Sequence, residues 1–213
     1  MALDFKNRNV IILAPHTDDG ELGCGGTIVK MLEMSANVYY VAFSTAEKSL
    51  PKRFPSGTLK SEVKRATEKL GIKKSNLFIY DYEVRKLNYV RQEILEELIK
   101  LKHKIHADFV FMPSMHDIHQ DHSTVAIEGL RAFKNTSILG YELIWNNLTF
   151  DTICFVKLEE RHIIAKIEAL QEYKSQSTRK YTSPEFIRSL AITRGTQIGN
   201  DYAEAFEVVR WVW

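Results

Sequence analysis

Cysteine is scarce in this chain, with only Cys24 and Cys154 among 213 residues. Two thiols make no disulfide framework, which fits a reducing compartment. Long apolar runs are missing as well. No stretch reaches the ~18 residues of a membrane span. The N-terminal residues lack the apolar segment of a secretory signal, so the expected location is the cytoplasm. Nor does one sign of charge dominate: 29 Lys and Arg against 27 Asp and Glu leave a formal net charge of +2. That bias is too weak to argue for nucleic acid, and the basic run at 100–104 reads as a solvated helix end. Internal repeats and low-complexity segments are absent. The length suits one well-buried core, so a single domain over 1–213 is expected.

What is present is an alternation. Apolar strand-like runs at 10–14, 38–43, 77–80, 109–112 and 138–141 are separated by helical patterns at 21–34, 59–70, 90–102 and 122–133. Such alternation predicts an α/β fold, Rossmann-like and three-layered, with a mostly parallel sheet. A C-terminal helical and strand extension follows: a strand at 152–156, a helix at 159–173, a helix at 184–193 with Pro184 near its start, and a strand at 204–211. Leu22, Val29 and Leu32 share one face of the first helix, where Gly25 and Gly26 permit close approach to the sheet. Ile94, Leu95, Leu98 and Leu101 are a core stripe. The polar loops at 44–58 and 175–183 contain turn formers, and the first is placed to wall a pocket.

Two turns rich in histidine and aspartate follow separate strands. The first carries His16, Asp18 and Asp19 after the run 10–13; the second carries His116, Asp117, His119, Asp121 and His122 after 109–112. In open α/β sheets ligands bind beyond the carboxyl ends of strands, where both turns fall. His16, one of Asp18 or Asp19, and one of His119 or His122 make three ligands with a position left for water, as in catalytic zinc sites. A carboxylate left uncoordinated beside them would be a general base. The same two-histidine, one-carboxylate set also binds non-haem Fe(II), with His16 and Asp18 read as a His-x-Asp pair. That reading gives the second aspartate no task. A sugar-binding module with a catalytically silent metal is a third reading, in which a free base has no use. Aspartates at a helix start are also good N-caps. Cys24 reads as a small packing residue. His116 is the least engaged histidine of its cluster, and His103, His106 and His162 are assigned to the surface. Trp145, Trp211, Trp213, Asn146 and Asn147 are assigned to core and loops rather than to a sugar.

The stretch Pro15-His16-Thr17-Asp18-Asp19-Gly20-Glu21-Leu22-Gly23-Cys24-Gly25-Gly26 resembles the first signature of the PIG-L/LmbE-like family of zinc-dependent N-acetylglucosaminyl deacetylases. His119-Gln120-Asp121-His122 resembles the second. Tyr173-Lys174-Ser175-Gln176, the run Arg194 to Gly199 and the run Tyr202 to Phe206 are also similar to many members. The resemblance implies one zinc per chain on His16, Asp19 and His122, with Asp18 as the base. It implies that His119 stabilises the oxyanion or assists the leaving amine, that Asp121 orients His119, and that Tyr202 lies near the active site. It further implies loss of an N-acetyl group from an amino-sugar conjugate, giving acetate and a free amine. The partner is then a small-molecule or glycoconjugate amino sugar, with no nucleic acid and no integral membrane segment; a homo-oligomer is left open. Thr17 stands for the usual Pro and Gly20 for the usual Glu. Where members often carry Arg, three residues before the glutamate corresponding to Glu62, this chain has Leu59. Arg53 and Arg85 in neighbouring loops are alternatives for that contact.

Overall fold

The apolar run after Asn9 becomes β1 (Asn9–His16), and every side chain from Val10 to Ala14 is fully buried. A strand covered on both faces carries no polar alternation, which is why the run is continuous. Val10, Ile12 and Ala14 enter one core, and Ile11 and Leu13 enter the other. Residues 5–212 are described in the computed structural model; Trp213 lies outside them.

The remaining strands are β2 (Asn37–Ser44), β3 (Leu77–Ile79), β4 (Phe109–Pro113), β5 (Ser137–Tyr141), β6 (Cys154–Leu158) and β7 (Tyr202–Arg210). They form one sheet in the order β3-β2-β1-β4-β5-β7-β6. The first five are parallel, and β7 runs antiparallel to both β5 and β6. The helices are α1 (Asp19–Glu33), α2 (Thr58–Lys69), α3 (Arg91–Ile105), α4 (Gln120–Ala132), α5 (Glu160–Gln171) and α6 (Pro184–Thr196). Leu22, Val63, Ile163 and Ile187 bury α1, α2, α5 and α6 on one face of the sheet, while Leu98 and Val125 bury α3 and α4 on the other. The expected three-layer fold is therefore the observed one. The extension is part of the same sheet, with β6 beginning two residues later than its sequence pattern predicts. From β1 the chain steps to β2 on one side and later to β4 on the other, so strand order reverses between β1 and β4.

Helix α1 is two helical pieces joined at Cys24, whose φ of −146° and ψ of 25° are not helical. The break leaves amides of the second piece without partners inside the helix, and a carboxylate from β7 takes them. Glu204 accepts from Gly26 N (3.1 Å) and Thr27 N (2.7 Å). Lys166 of α5 donates Nζ–H to Glu204 Oε1 and to Leu22 O, both at 2.7 Å. Cys24 is buried, with its Sγ against Gly20 O (3.2 Å), and burial pushes its thiol pKa well up, so it is a packing residue. One residue earlier, a Cβ on Gly23 would lie 2.3 Å from the Tyr141 ring, so only glycine fits there.

His162 departs from its expected surface position. It is 1% exposed; its Nδ1 accepts from Glu159 N (2.9 Å) and its Nε2 meets Glu33 Oε2 (3.0 Å). The helix pattern around it is charged because its neighbours face water, while His162 itself faces α1 and completes the cap of α5.

Unpairing a buried charge costs about 3–5 kcal/mol. Lys166→Met should therefore lower unfolding stability by about that much, read from urea denaturation, because it strands Glu204 beside the α1 break. A loss below ~1 kcal/mol would show that the pair is solvated rather than structural.

Candidate metal and catalytic site

His16 ends β1, and the turn after it starts α1. His119 and His122 sit at the start of α4, just past β4. The strand reversal thus brings the two turns together, as the sequence pattern predicts. His16 Nδ1, His122 Nε2 and Asp19 Oδ2 stand 3.1–3.2 Å from one another. A tetrahedral ion with bonds of ~2.0–2.1 Å separates its ligands by about 3.3 Å, so these three donors fit one. His119 also offers a nitrogen within 4.8 Å of the other two histidines.

The far nitrogen of each close histidine is held by a buried carboxylate. His16 Nε2 meets Asp121 Oδ2 at 2.9 Å, and His122 Nδ1 meets Asp117 Oδ2 at 2.7 Å. Each carboxylate takes the N–H of its ring and so turns the other nitrogen's lone pair to the centre of the triangle. Burial alone would depress the pKa of His16, but Asp19 and Asp121 reverse this and raise it to about 9. His122 is likewise raised to about 10 against its burial, by Asp19 and Asp117. Burial would raise Asp19, yet His122 and His16 hold it well below the usual carboxylate range. Surroundings that favour protons on these atoms favour a cation in their place.

His119 behaves differently. It is the N-cap of α4, with Nδ1 accepting from Asp121 N at 3.1 Å. Burial, and then His122 and His16, lower its pKa to about 4. A neutral ring whose Nδ1 accepts carries its proton on Nε2, which makes His119 a donor. Asp18 is the N-cap residue of α1 but makes no capping bond; it lines the cleft, and burial followed by Asp19 raises it to about 6.

Two expectations change. The Asp121 carboxylate binds His16, not His119, and is completed by the amides of Arg85 (2.6 Å) and Leu87 (3.2 Å); only its backbone reaches His119. In the first turn of α4 its side chain points back toward β1, while the ring of His119 bends over the helix end. Tyr202 does not line the cleft. It starts β7, the strand next to β5, opposite Leu158 of β6, and its hydroxyl accepts from Arg188 (3.1 Å).

The cleft holds about 300 Å³ and is lined by His16, Thr17, Asp18, Asp19, His119 and His122 at its base. Ala46 and Ser49 of the 44–58 loop form a wall, as expected from the position of that loop. Gln176, Arg179 and Tyr181 come from the 175–183 loop, which Glu62 anchors by accepting from Ser175 N (3.0 Å) and Oγ (2.6 Å). Trp145 is stacked on Tyr181 with centroids 3.9 Å apart and borders the cleft beside Asn146, outside the core role assigned to it. Leu59 lines the cleft too, Arg85 reaches it, and Arg53 instead covers Phe54. His116 is exposed. Asp117, Arg179 and Tyr181 had no role in the sequence reading. Asp117 lies within the second histidine-rich turn, whereas nothing local marks the other two.

A family model described as PIG-L, GlcNAc-PI de-N-acetylase, matches residues 11–133, a span that holds both turns. Diacetylchitobiose deacetylase of Thermococcus kodakarensis is 26% identical over 237 residues, covering 97% of this chain and 88% of that one. Among solved structures, N,N'-diacetylchitobiose deacetylase from Pyrococcus horikoshii has a TM-score of 0.79 at 22% identity, over 95% of this chain and 84% of that chain. GalB, the 4-carboxy-2-hydroxymuconate hydratase from Pseudomonas putida, also has a TM-score of 0.79, at 17% identity over 97% and 98%. A fold shared by a deacetylase and a hydratase leaves the reaction to the site. With the family model matched across more than half its length and through both histidine-bearing turns, the chain belongs to the PIG-L family.

Proposed function

We propose that this protein is a metal-dependent N-deacetylase, hydrolysing the acetamide of an N-acetylglucosamine-type conjugate to acetate and a free amine. The division of labour between two adjacent aspartates carries the reading. Asp19 closes a three-donor triangle with two histidines, while Asp18 makes no capping bond and lines the cleft. Membership in the PIG-L family and the activity of the Thermococcus relative support it.

His16, Asp19 and His122 would hold the ion, zinc by the nitrogen and oxygen character of the set. When bound, zinc supplies Lewis acidity toward the acetamide carbonyl and lowers the pKa of water toward ~7. Asp18 takes the proton of the attacking water; a carboxylate near pKa 6 is suited to accept at neutral pH and to give the proton back. His119 donates its Nε2–H to the oxyanion that forms on the carbonyl oxygen. Collapse of the tetrahedral species breaks the C–N bond as Asp18 returns its proton to the departing nitrogen. Asp121 and Asp117 are positioning residues, holding the rings of His16 and His122.

The purified protein should carry about one transition metal per chain, with activity lost to a chelator and restored by zinc. Asp117→Asn should weaken metal affinity about 10–100-fold, measured by competition with a chromogenic chelator. Full activity without metal, or iron with dioxygen consumption, would sink the zinc hydrolase reading.

The adjacent aspartates should fail in different ways. Asp19→Asn should lose metal, because a neutral amide poorly replaces an anionic ligand. Asp18→Asn should keep metal and slow acetate release by ~10²–10⁴, with the acid limb of the rate profile changed. Near-normal turnover in Asp18→Asn would place the base elsewhere.

For the histidines, His122→Ala should abolish metal binding. His119→Ala should retain the metal and lose ~10²–10³ in kcat, as for removal of one oxyanion donor. Exchanged phenotypes, read by metal analysis beside kinetics, would reverse the two assignments.

A further inference from the structure

The chemistry above leaves unused a carboxyl group two residues past Asp19. Glu21 is fully buried in α1, and its side-chain partners are two tyrosine hydroxyls. Tyr40 of β2 meets its Oε2, and Tyr173, just past α5, meets its Oε1 at 2.8 Å. Both tyrosines are buried as well. The same hydroxyls reach Thr17 O, at 2.9 Å from Tyr40 and 2.6 Å from Tyr173. Tyr173 opens the run ending at Gln176 that is similar to many family members, and no step above employs it. Gly20 is what admits Tyr40: its amide donates to the Tyr40 hydroxyl (3.1 Å), and a Cβ there would lie 2.5 Å from the ring. The glycine that stands for the usual Glu and the glutamate one place later therefore belong to one arrangement.

Thr17 O belongs to the peptide group that joins Thr17 to Asp18. A peptide group is planar, so two hydroxyls holding its oxygen also fix the Asp18 nitrogen and the direction in which the chain enters that residue. On the far side, Asp18 O accepts from Leu22 N at 3.0 Å. Both peptide groups around Asp18 are thus pinned, while its carboxylate makes no capping bond. Asp19 is aimed differently: its Oδ2 accepts from His16 N (2.8 Å) and meets both histidine rings. Backbone placement sets the direction of Asp18, and side-chain bonds set that of Asp19.

We infer that Glu21, Tyr40 and Tyr173 are positioning residues that aim Asp18, through the Thr17 carbonyl, at the proton it removes. The inference rests on the deacetylase reading for the task of Asp18. Each hydroxyl has one hydrogen and two acceptors in reach, so the Thr17 carbonyl and the Glu21 carboxyl group share the same two donors. Glu21 holds the far side of both hydroxyls; without it they are free to turn away from Thr17 O. A buried polar network whose members are all satisfied rigidifies what it holds.

The test uses zinc-loaded wild type, Tyr173→Phe, Glu21→Leu and Glu21→Gln, assayed for acetate release from methyl N-acetylglucosaminide and diacetylchitobiose. Tyr173→Phe should lower kcat about two- to twelvefold, as for one hydrogen bond, with KM and metal affinity unchanged. Glu21→Leu should cost more, up to ~10²-fold, as for a group misplaced by about 1 Å. Glu21→Gln should recover most of that loss, since its amide both accepts and donates. In the Asp18→Asn background Tyr173→Phe should have no further effect, whereas an independent loss of packing would multiply. Crystal structures of the zinc-loaded wild type and Tyr173→Phe should show the Asp18 carboxylate displaced in the variant and Asp19 unmoved. An unmoved Asp18, a loss traced to weaker metal binding, or an undiminished loss in the Asp18→Asn background overturns the cluster. If wild type releases no acetate from either compound, the deacetylase reading falls, and the position of Asp18 in the two crystal structures still decides the cluster. Should Glu21→Leu fail to fold, Tyr173→Phe, which deletes a single oxygen, carries the test.

Discussion

A carboxylate with no access to water stays ionised only when donors surround it, and Asp121 meets that condition with three N–H groups from two other parts of the chain. The ring of His16 comes from the end of β1, and the amides of Arg85 and Leu87 come from the segment before α3, while Asp121 itself belongs to the first turn of α4. Burial opposes its charge and these donors more than compensate, so its pKa falls below the ordinary range. The strand ends, the cleft wall and the helix start are thus tied at one point. Ring orientation at His16, and with it the three-donor triangle, depends on that tie.

Much of this was legible in the chain itself. Buried parallel strands are written as unbroken apolar runs, so β1, β2, β4 and β5 could be placed within a residue or two. The histidines and the paired aspartates were legible because they follow strand ends, and only the strand order was needed to join them. What stayed hidden was set by side-chain direction and by distant segments. Asp121 and His119 are two residues apart at a helix start, where ring and carboxylate diverge, so adjacency suggested a contact that does not form. Tyr202 sits in a run similar to that of many relatives, yet the task of that run here belongs to Glu204, which completes the broken α1. His162 shows that a charged neighbourhood in sequence says little about a single inward position. Arg179 and Tyr181 reach the cleft from a loop more than fifty residues beyond the second turn, and no periodicity marks them.

Stability and chemistry occupy different halves of one glycine-rich segment. Before Cys24, the chain presents Asp18 and Asp19 to the cleft; after it, Gly26 and Thr27 hand their amides to Glu204. The break lets the first piece be aimed by the site and the second by its packing against α5 and β7. Gly23 allows the Tyr141 ring to fill the space directly beneath, with its hydroxyl donating to Leu13 O at 2.9 Å. A fold found with both a hydratase and a deacetylase can keep this scaffold and change the lining.

The bond by which His119 caps α4 has a consequence for proton microstates. A neutral imidazole chooses between two tautomers, and the Asp121 amide at Nδ1 selects the one with hydrogen on Nε2. A backbone hydrogen bond contributes ~0.5–1.5 kcal/mol net, a bias of about two- to twelvefold between the forms. Fraying of the first turn of α4 would release that choice, even with every side chain still in the cleft. The population of molecules able to donate from His119 is therefore tied to the local stability of one helical turn, and conditions that loosen that turn change the tautomer ratio before they unfold the protein.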